Sequence, residues 1–152
     1  MSVSIPNYQV QPFLEFLFNM ELSGRQSRMR TRLIRLLEDH LVNEIQAENK
    51  ILLDECAEKD ENGEFVYNQA TGMIALLPHK AEEYHREYED LMKERFYLEI
   101  NDKNVPIIKE IYHILDTNQS PISGQLATFY DEWCDIFEEA AERCGVEIGG
   151  GI

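Results

Sequence analysis

Positive charge is scarce in this chain and unevenly placed. Lysine and arginine together number 14 among 152 residues, against 29 aspartates and glutamates, for a net charge of −15. A deficit of that size keeps a protein soluble and repels nucleic-acid backbones and anionic membranes. It favours partners with basic surfaces, among them the clefts of nucleic-acid enzymes. Long apolar runs are missing as well. No stretch approaches the roughly 20 residues needed to span a bilayer. The start, MSVSIPNYQV, has neither a basic head nor an apolar run, so no targeting segment is expected. The three cysteines, Cys56, Cys134 and Cys144, lack metal-ligand spacing and read as reduced thiols of a cytoplasmic protein. Glycine clusters only at Gly149-Gly150-Gly151. No glycine-rich phosphate loop, G-x-S-x-G turn or Cys/His pattern occurs, so no catalytic residue and no cofactor is expected.

What is present suits an ordinary globular domain, with 43% apolar and 10% aromatic residues. The expected fold is mainly α, about five helices around one core, with a small antiparallel β-hairpin inserted near 64–77. The helical domain is expected over 1–145 and a flexible glycine-rich tail over 146–152. Residues 1–10 read as extended, ending near Pro12, with a short buried helix in FLEFLFNMEL. Ser23-Gly24-Arg25-Gln26 has the form of a capping box opening a long helix to about Lys59. Its apolar stripe is Leu33, Ile34, Leu37, Leu41, Ile45, Leu52 and Cys56. EFVY at 64–67 and MIALL at 73–77 flank turns and predict the hairpin, with FYLEI at 96–100 as a third strand. A charged helix spans Pro78 to Arg95, and a short isoleucine-rich one about Val105 to Thr117. The last helix is expected to start at Ser120 as cap, with Pro121 in the first turn.

Five of the fourteen basic residues fall between positions 25 and 35, and no lysine occurs in the first 49 residues. On a helix Arg25, Arg28, Arg32 and Arg35 form one stripe about 80° wide. Arginine alone favours planar, bidentate pairing with carboxylates or phosphates. The leading expectation is that the stripe meets the molecule's own acids across helix interfaces; an acidic or phosphate surface on a partner comes second. Arg30 lies near the Leu33/Leu37 seam, where it needs a buried carboxylate. Nucleic-acid binding through the stripe is a weaker alternative, because it opposes the net charge and no aromatic residue interleaves it.

In the final helix Leu126, Phe129, Tyr130, Trp133, Phe137, Ala140 and Cys144 fall within an arc of about 120°. Asp131, Glu132, Asp135, Glu138, Glu139 and Glu142 lie opposite. The ordinary reading is a solvated acidic face. The sharper one is a phosphate-backbone mimic that fills a basic groove, with Asp131, Asp135, Glu138 and Glu142 as contact residues. Two Glu-x-x-His pairs, Glu82…His85 and Glu110…His113, have the form used by carboxylate-bundle metal enzymes. The second pair projects to the polar side of its short helix, which opens at Pro106, and the first lies at the edge of the Tyr84/Tyr88 seam. No metal site is therefore expected, and such an enzyme is kept only as an alternative.

The stretch FLFNMELSGRQSRMRTRLIRLLEDHL, and more weakly YDEWCDIFE, resembles a family of small acidic helical proteins from phages of Gram-positive bacteria. The likeness covers about Tyr8 to Glu139, and Q-S-R-M-R-T-R is its distinctive part. It implies a context, the cytoplasm of an infected bacterium or association with a virion, and transfers no active-site residues. The expectation is a non-enzymatic phage protein that binds another protein, either as a host-defence inhibitor with an acidic face or as a morphogenesis factor. The morphogenesis version is expected to use an apolar or arginine-lined interface and to form a homo-oligomer, the inhibitor version to be compact.

Overall fold

A computed structural model describes residues 1–148. The elements in order are β1 (Ser2–Pro6), α1 (Asn7–Phe18), α2 (Gly24–His40), a π-helical turn (Leu41–Gln46), α3 (Ala47–Cys56), α4 (Ala81–Lys93), β2 (Arg95–Glu99), α5 (Val105–Thr117) and α6 (Gly124–Arg143). The backbone stays helical through the π turn, so α2, the turn and α3 form one rod from 24 to 56. Counted that way there are five helical bodies and one two-stranded antiparallel sheet among the described residues, the mainly α fold that the sequence predicts.

α5 has the bounds expected of it. Pro106 sits in the first turn, where its missing N–H is no loss. Ile107, Ile108, Ile111, Ile114 and Leu115 are all buried. Around it α2 packs on α1 and α5, and α5 packs on α6. Aromatic rings close the circuit between α1 and α6: Phe13 lies 4.5 Å from Trp133 and 5.8 Å from Phe137, centroid to centroid, and Phe16 lies 5.7 Å from Trp133. Tilted pairs of this kind add about 0.5–1.5 kcal/mol beyond the area they bury.

The start of the chain differs from expectation. The extended segment ends at Pro6, and Pro12 is held inside α1. Proline there removes one helical hydrogen bond, to the carbonyl of Tyr8, and Tyr8 is exposed, so water can replace the lost donor. α2 does begin after Ser23, but the Ser23 hydroxyl makes no capping bond. α6 begins three residues later than Ser120 predicts, with Ser123 extended before Gly124. The two helix starts share one device, an extended serine followed by a glycine at positive φ (59° at Gly24, 64° at Gly124). Only glycine adopts that conformation without a Cβ penalty, so the chain turns into each helix there and not at the proline.

β1 and β2 pair from Ser2↔Glu99 to Pro6↔Arg95. Val3, Ile5, Phe96 and Leu98 face the core, and Arg95, Tyr97 and Glu99 face outward. The strand expected at 96–100 therefore exists, but its partner is the N-terminus. Val3 and Ile5 alternate like a half-buried strand, and only a neighbour that also faces the core can cover that side. The 64–77 hairpin is reduced to single bridges, Tyr67↔Ile74 with Lys59↔Phe65 and Ala57↔Leu76 beside it. These tie off the tip of an antiparallel arm made by α3 and α4, in which Tyr84 Oη donates to Asn49 Oδ1 at 2.8 Å. Within residues 47–94 only Cys56, Ala57 and Leu91 are buried. The arm carries thirteen carboxylates and five basic residues. Of the segment read as a flexible tail, Val146 and Ile148 rest half-buried against the core. Residues 149–152 lie outside the described residues.

Candidate charged interfaces

The arginine stripe is where the helix geometry puts it. Arg25, Arg28, Arg32 and Arg35 are exposed on the side of α2 opposite the buried Met29, Leu33 and Leu37. The internal clasp expected of them is realised once, between Arg25 Nε and Glu110 Oε1 at 3.1 Å. Arg25 is largely solvated there, so the pair is a surface ion pair worth about 0–1 kcal/mol. Arg32 rests against Met29 Sδ at 3.9 Å. Arg28, Arg32 and Arg35 have no carboxylate within 4.0 Å among the described residues. Arg25 thus reaches α5 through Glu110, while Arg28, Arg32 and Arg35 face solvent.

Arg30 contradicts its expected ion pair. Its guanidinium donates to the carbonyl oxygens of Leu17 (3.1 Å) and Met20, and lies 3.4 Å from Ser27 Oγ. These carbonyls sit at and just beyond the end of α1, where the helix dipole concentrates partial negative charge. The backbone thus supplies what a carboxylate was expected to supply. No residue identity signals a carbonyl acceptor, which is why sequence reasoning missed it. The Arg30 Nε is buried without a partner.

On α6, Asp131, Asp135 and Glu142 are exposed and Glu138 is half-buried. None of these four has a basic partner within 4.0 Å among the described residues. Glu139 pairs with Arg143 at 2.8 Å, and Glu132 accepts from Gln9 Nε2. Six carboxylates along eleven residue steps cover about 16 Å of axis. That is one charge per roughly 3 Å, close to the 3.4 Å of a single strand of B-DNA.

The groups behind this face respond to burial and to its charge. Burial pushes the Tyr130 hydroxyl up to about 12, with Cys134 beside it acting in the same direction. That hydroxyl donates to the Leu115 carbonyl. Tyr112 is raised by burial and then by Asp116, Glu138 and Glu142. The Cys134 thiol is raised chiefly by burial, with Asp131, Asp135 and Asp116 adding to it. A thiol in that setting is the opposite of an activated nucleophile.

The two Glu-x-x-His pairs are not brought together as a site. Glu82 and His85 belong to the arm, Glu110 and His113 to α5, and Glu110 is already engaged by Arg25. Among the described residues no group of three or more His, Cys, Asp or Glu side chains converges to hold a metal ion.

A polar junction that the sequence did not reveal joins the start of α1 to the arm. Asn7 Nδ2 donates to the Leu91 carbonyl at 2.8 Å, so its Oδ1 is free to face His40 Nε2, also at 2.8 Å. His40 Nδ1 lies 2.9 Å from Glu44 Oε2 within the π turn. His40 reads as one polar-face residue in sequence; Glu44 lies a turn further along the same rod, and only the fold brings Asn7 to it.

Comparison of the chain with protein-family models, with curated proteins and with solved structures finds no match. No helix among the described residues is long and apolar enough to cross a membrane.

Proposed function

We propose that this is a non-enzymatic phage protein that acts in the cytoplasm of the infected bacterium by occupying a basic cleft on another protein. The contact surface is the carboxylate face of α6. One observation carries the reading: Asp131, Asp135, Glu138 and Glu142 form an unneutralised row of four along about 16 Å of helix. That is one charge per roughly 5.5 Å, within a factor of two of a nucleic-acid strand. Charges left without internal partners strengthen association with an oppositely charged surface and speed encounter with it. A cleft built to hold phosphates is the surface that such a row fits.

The test is a capture from infected-cell lysate with competition. Wild-type protein should retain nucleic-acid-binding proteins that duplex DNA then displaces. A variant with Asp131, Asp135, Glu138 and Glu142 all changed to lysine should fold, by circular dichroism, and lose them. Equal retention by the reversed variant rejects the reading.

A second reading, a morphogenesis or virion-associated factor, is supported by Arg28, Arg32 and Arg35. Three arginines on one face without an internal acid suit docking on an acidic subunit or a phosphate surface. Changing the three to alanine distinguishes the two, since it leaves the α6 row intact.

A further inference from the structure

The β1–β2 sheet has one open edge, and the residues along it are arranged to pair with themselves. The Asn7 N–H donates to the Glu94 carbonyl at 2.7 Å, and the Ile100 N–H to the Met1 carbonyl at 2.9 Å. In an antiparallel ladder hydrogen-bonded pairs alternate, so residues 94, 96, 98 and 100 direct their backbone groups toward β1. Arg95, Tyr97 and Glu99 therefore direct theirs outward. Of those groups, the Glu99 carbonyl accepts from Asn104 Nδ2 at 2.9 Å. The three N–H groups have no partner among the described residues. The opposite edge, along β1, is closed to a strand: Pro6 has no N–H, and the Ser4 carbonyl accepts from Arg95 Nη2 at 3.2 Å. The β2 edge instead borders an open groove of about 410 Å³, with Leu36 and Asp39 on its far wall.

We infer that β2 is a dimerisation strand that pairs antiparallel with β2 of a second copy, about a two-fold axis between the two Tyr97 residues. In that register Tyr97 lies opposite its own copy, and Arg95 lies opposite Glu99 of the partner on both sides of the axis. The three outward residues are all hydrogen-bonding positions, so the pairing uses the unpartnered N–H groups together with the facing carbonyls. Their side chains share the exposed face, with Tyr97 63% exposed, so an aromatic pair forms at the centre. Arg95, whose Nε and Nη2 stay on Ser4, offers Nη1 to the partner's Glu99 on each flank. A strand edge protected against its own copies carries charges that repel across the axis. Here the symmetric positions carry opposite signs, so the charges attract. A two-fold contact of this kind is isologous and closes at two subunits, giving a four-stranded sheet.

Sedimentation velocity across a wide concentration range tests this, at about 0.15 M salt, where the repulsion of two acidic chains is screened beyond about 8 Å. Wild-type protein should form a dimer, and amide hydrogen exchange at Tyr97 and Glu99 should slow as the dimer fills. Tyr97→Lys places like charges face to face and should weaken the dimer about tenfold or more. Glu99→Arg and Arg95→Glu should each be monomeric alone, with circular dichroism unchanged. Mixed in equal amounts, the two should form a heterodimer, because every facing pair is again opposite in sign. A wild-type protein that stays monomeric at millimolar concentration overturns the inference. So does a dimer that Tyr97→Lys leaves intact, or a mixture of the two charge variants that fails to associate.

Discussion

Gln9 is fully buried and sits between two residues of α6. The Trp133 indole N–H donates to Gln9 Oε1 at 3.0 Å, while Gln9 Nε2 donates to Glu132. Gln9→Leu keeps the volume and removes the acceptor, leaving the Trp133 N–H buried and unpaired. An orphaned buried donor costs about 1–3 kcal/mol, and Glu132, being exposed, can turn to water instead. Trp133→Phe removes the donor, strands Gln9 Oε1, and trims a ring that touches Phe13, Phe16 and Phe129. It should therefore cost more, about 2–4 kcal/mol. The double variant removes both polar partners. It should be less destabilised than the sum of the singles by about 1–2 kcal/mol, since replacing both ends of a buried hydrogen bond avoids the orphan. Urea denaturation followed by far-ultraviolet circular dichroism gives all three values without relying on tryptophan emission. Additivity within about 0.3–0.5 kcal/mol would refute the reasoning, because it would mean that the two side chains do not depend on one another.

Two further outcomes follow from the same kind of accounting. Arg30→Met removes the guanidinium donors from the Leu17 and Met20 carbonyls and should lower urea stability by about 1–3 kcal/mol, with Arg30→Lys falling between; equal midpoints for Arg30→Met and wild type would show that the end of α1 does not need it. Tyr84, Tyr112 and Tyr130 all hold their protons more tightly folded than unfolded. The unfolded chain releases those protons near pH 10, so stability should fall as the pH rises from about 10 toward the value of about 12 reached by Tyr130. Tyrosinate absorbance in an alkaline titration should lose its latest component in Tyr130→Phe, and an unchanged curve would reject the assignment.

Periodicity along a single helix was readable. The isoleucines of α5, the Leu33/Ile34/Leu37 stripe and the acidic side of α6 each depend on spacing within one segment, and each falls where spacing puts it. Meetings between distant segments were not readable. β1 pairs with a strand some ninety residues away, and nothing local distinguishes that partner from the nearer 64–77 hairpin. Arg30 and Asn7 both find backbone carbonyls, which every residue carries and none advertises. Of the candidate contact residues, the four arginines and four carboxylates were placed on the correct faces by phase alone. Which of them find internal partners depends on what stands opposite, and that is a property of packing. The late start of α6 turned on glycine at 124 rather than the more conspicuous Ser-Pro before it.

The π turn at Leu41–Gln46 has a consequence for how lengths of chain are tolerated here. Each residue added to or removed from a helix rotates everything beyond it by about 100°. Upstream of the turn, the apolar side of α2 is aligned with α1 and α5; downstream, α3 meets α4, and α4 in turn places the Leu91 carbonyl on the Asn7 amide. A chain one residue shorter between Leu41 and Gln46 would keep every stripe intact within its own helix. In a π turn the hydrogen bonds span five residues instead of four, so six residues there make about the rotation of five in an α-helix. The shortened chain can therefore run on as α-helix with α3 and the acidic arm near their present heading. The same deletion within α2, where no extra residue is held, would turn the thirteen carboxylates of the arm by about a quarter turn relative to the core.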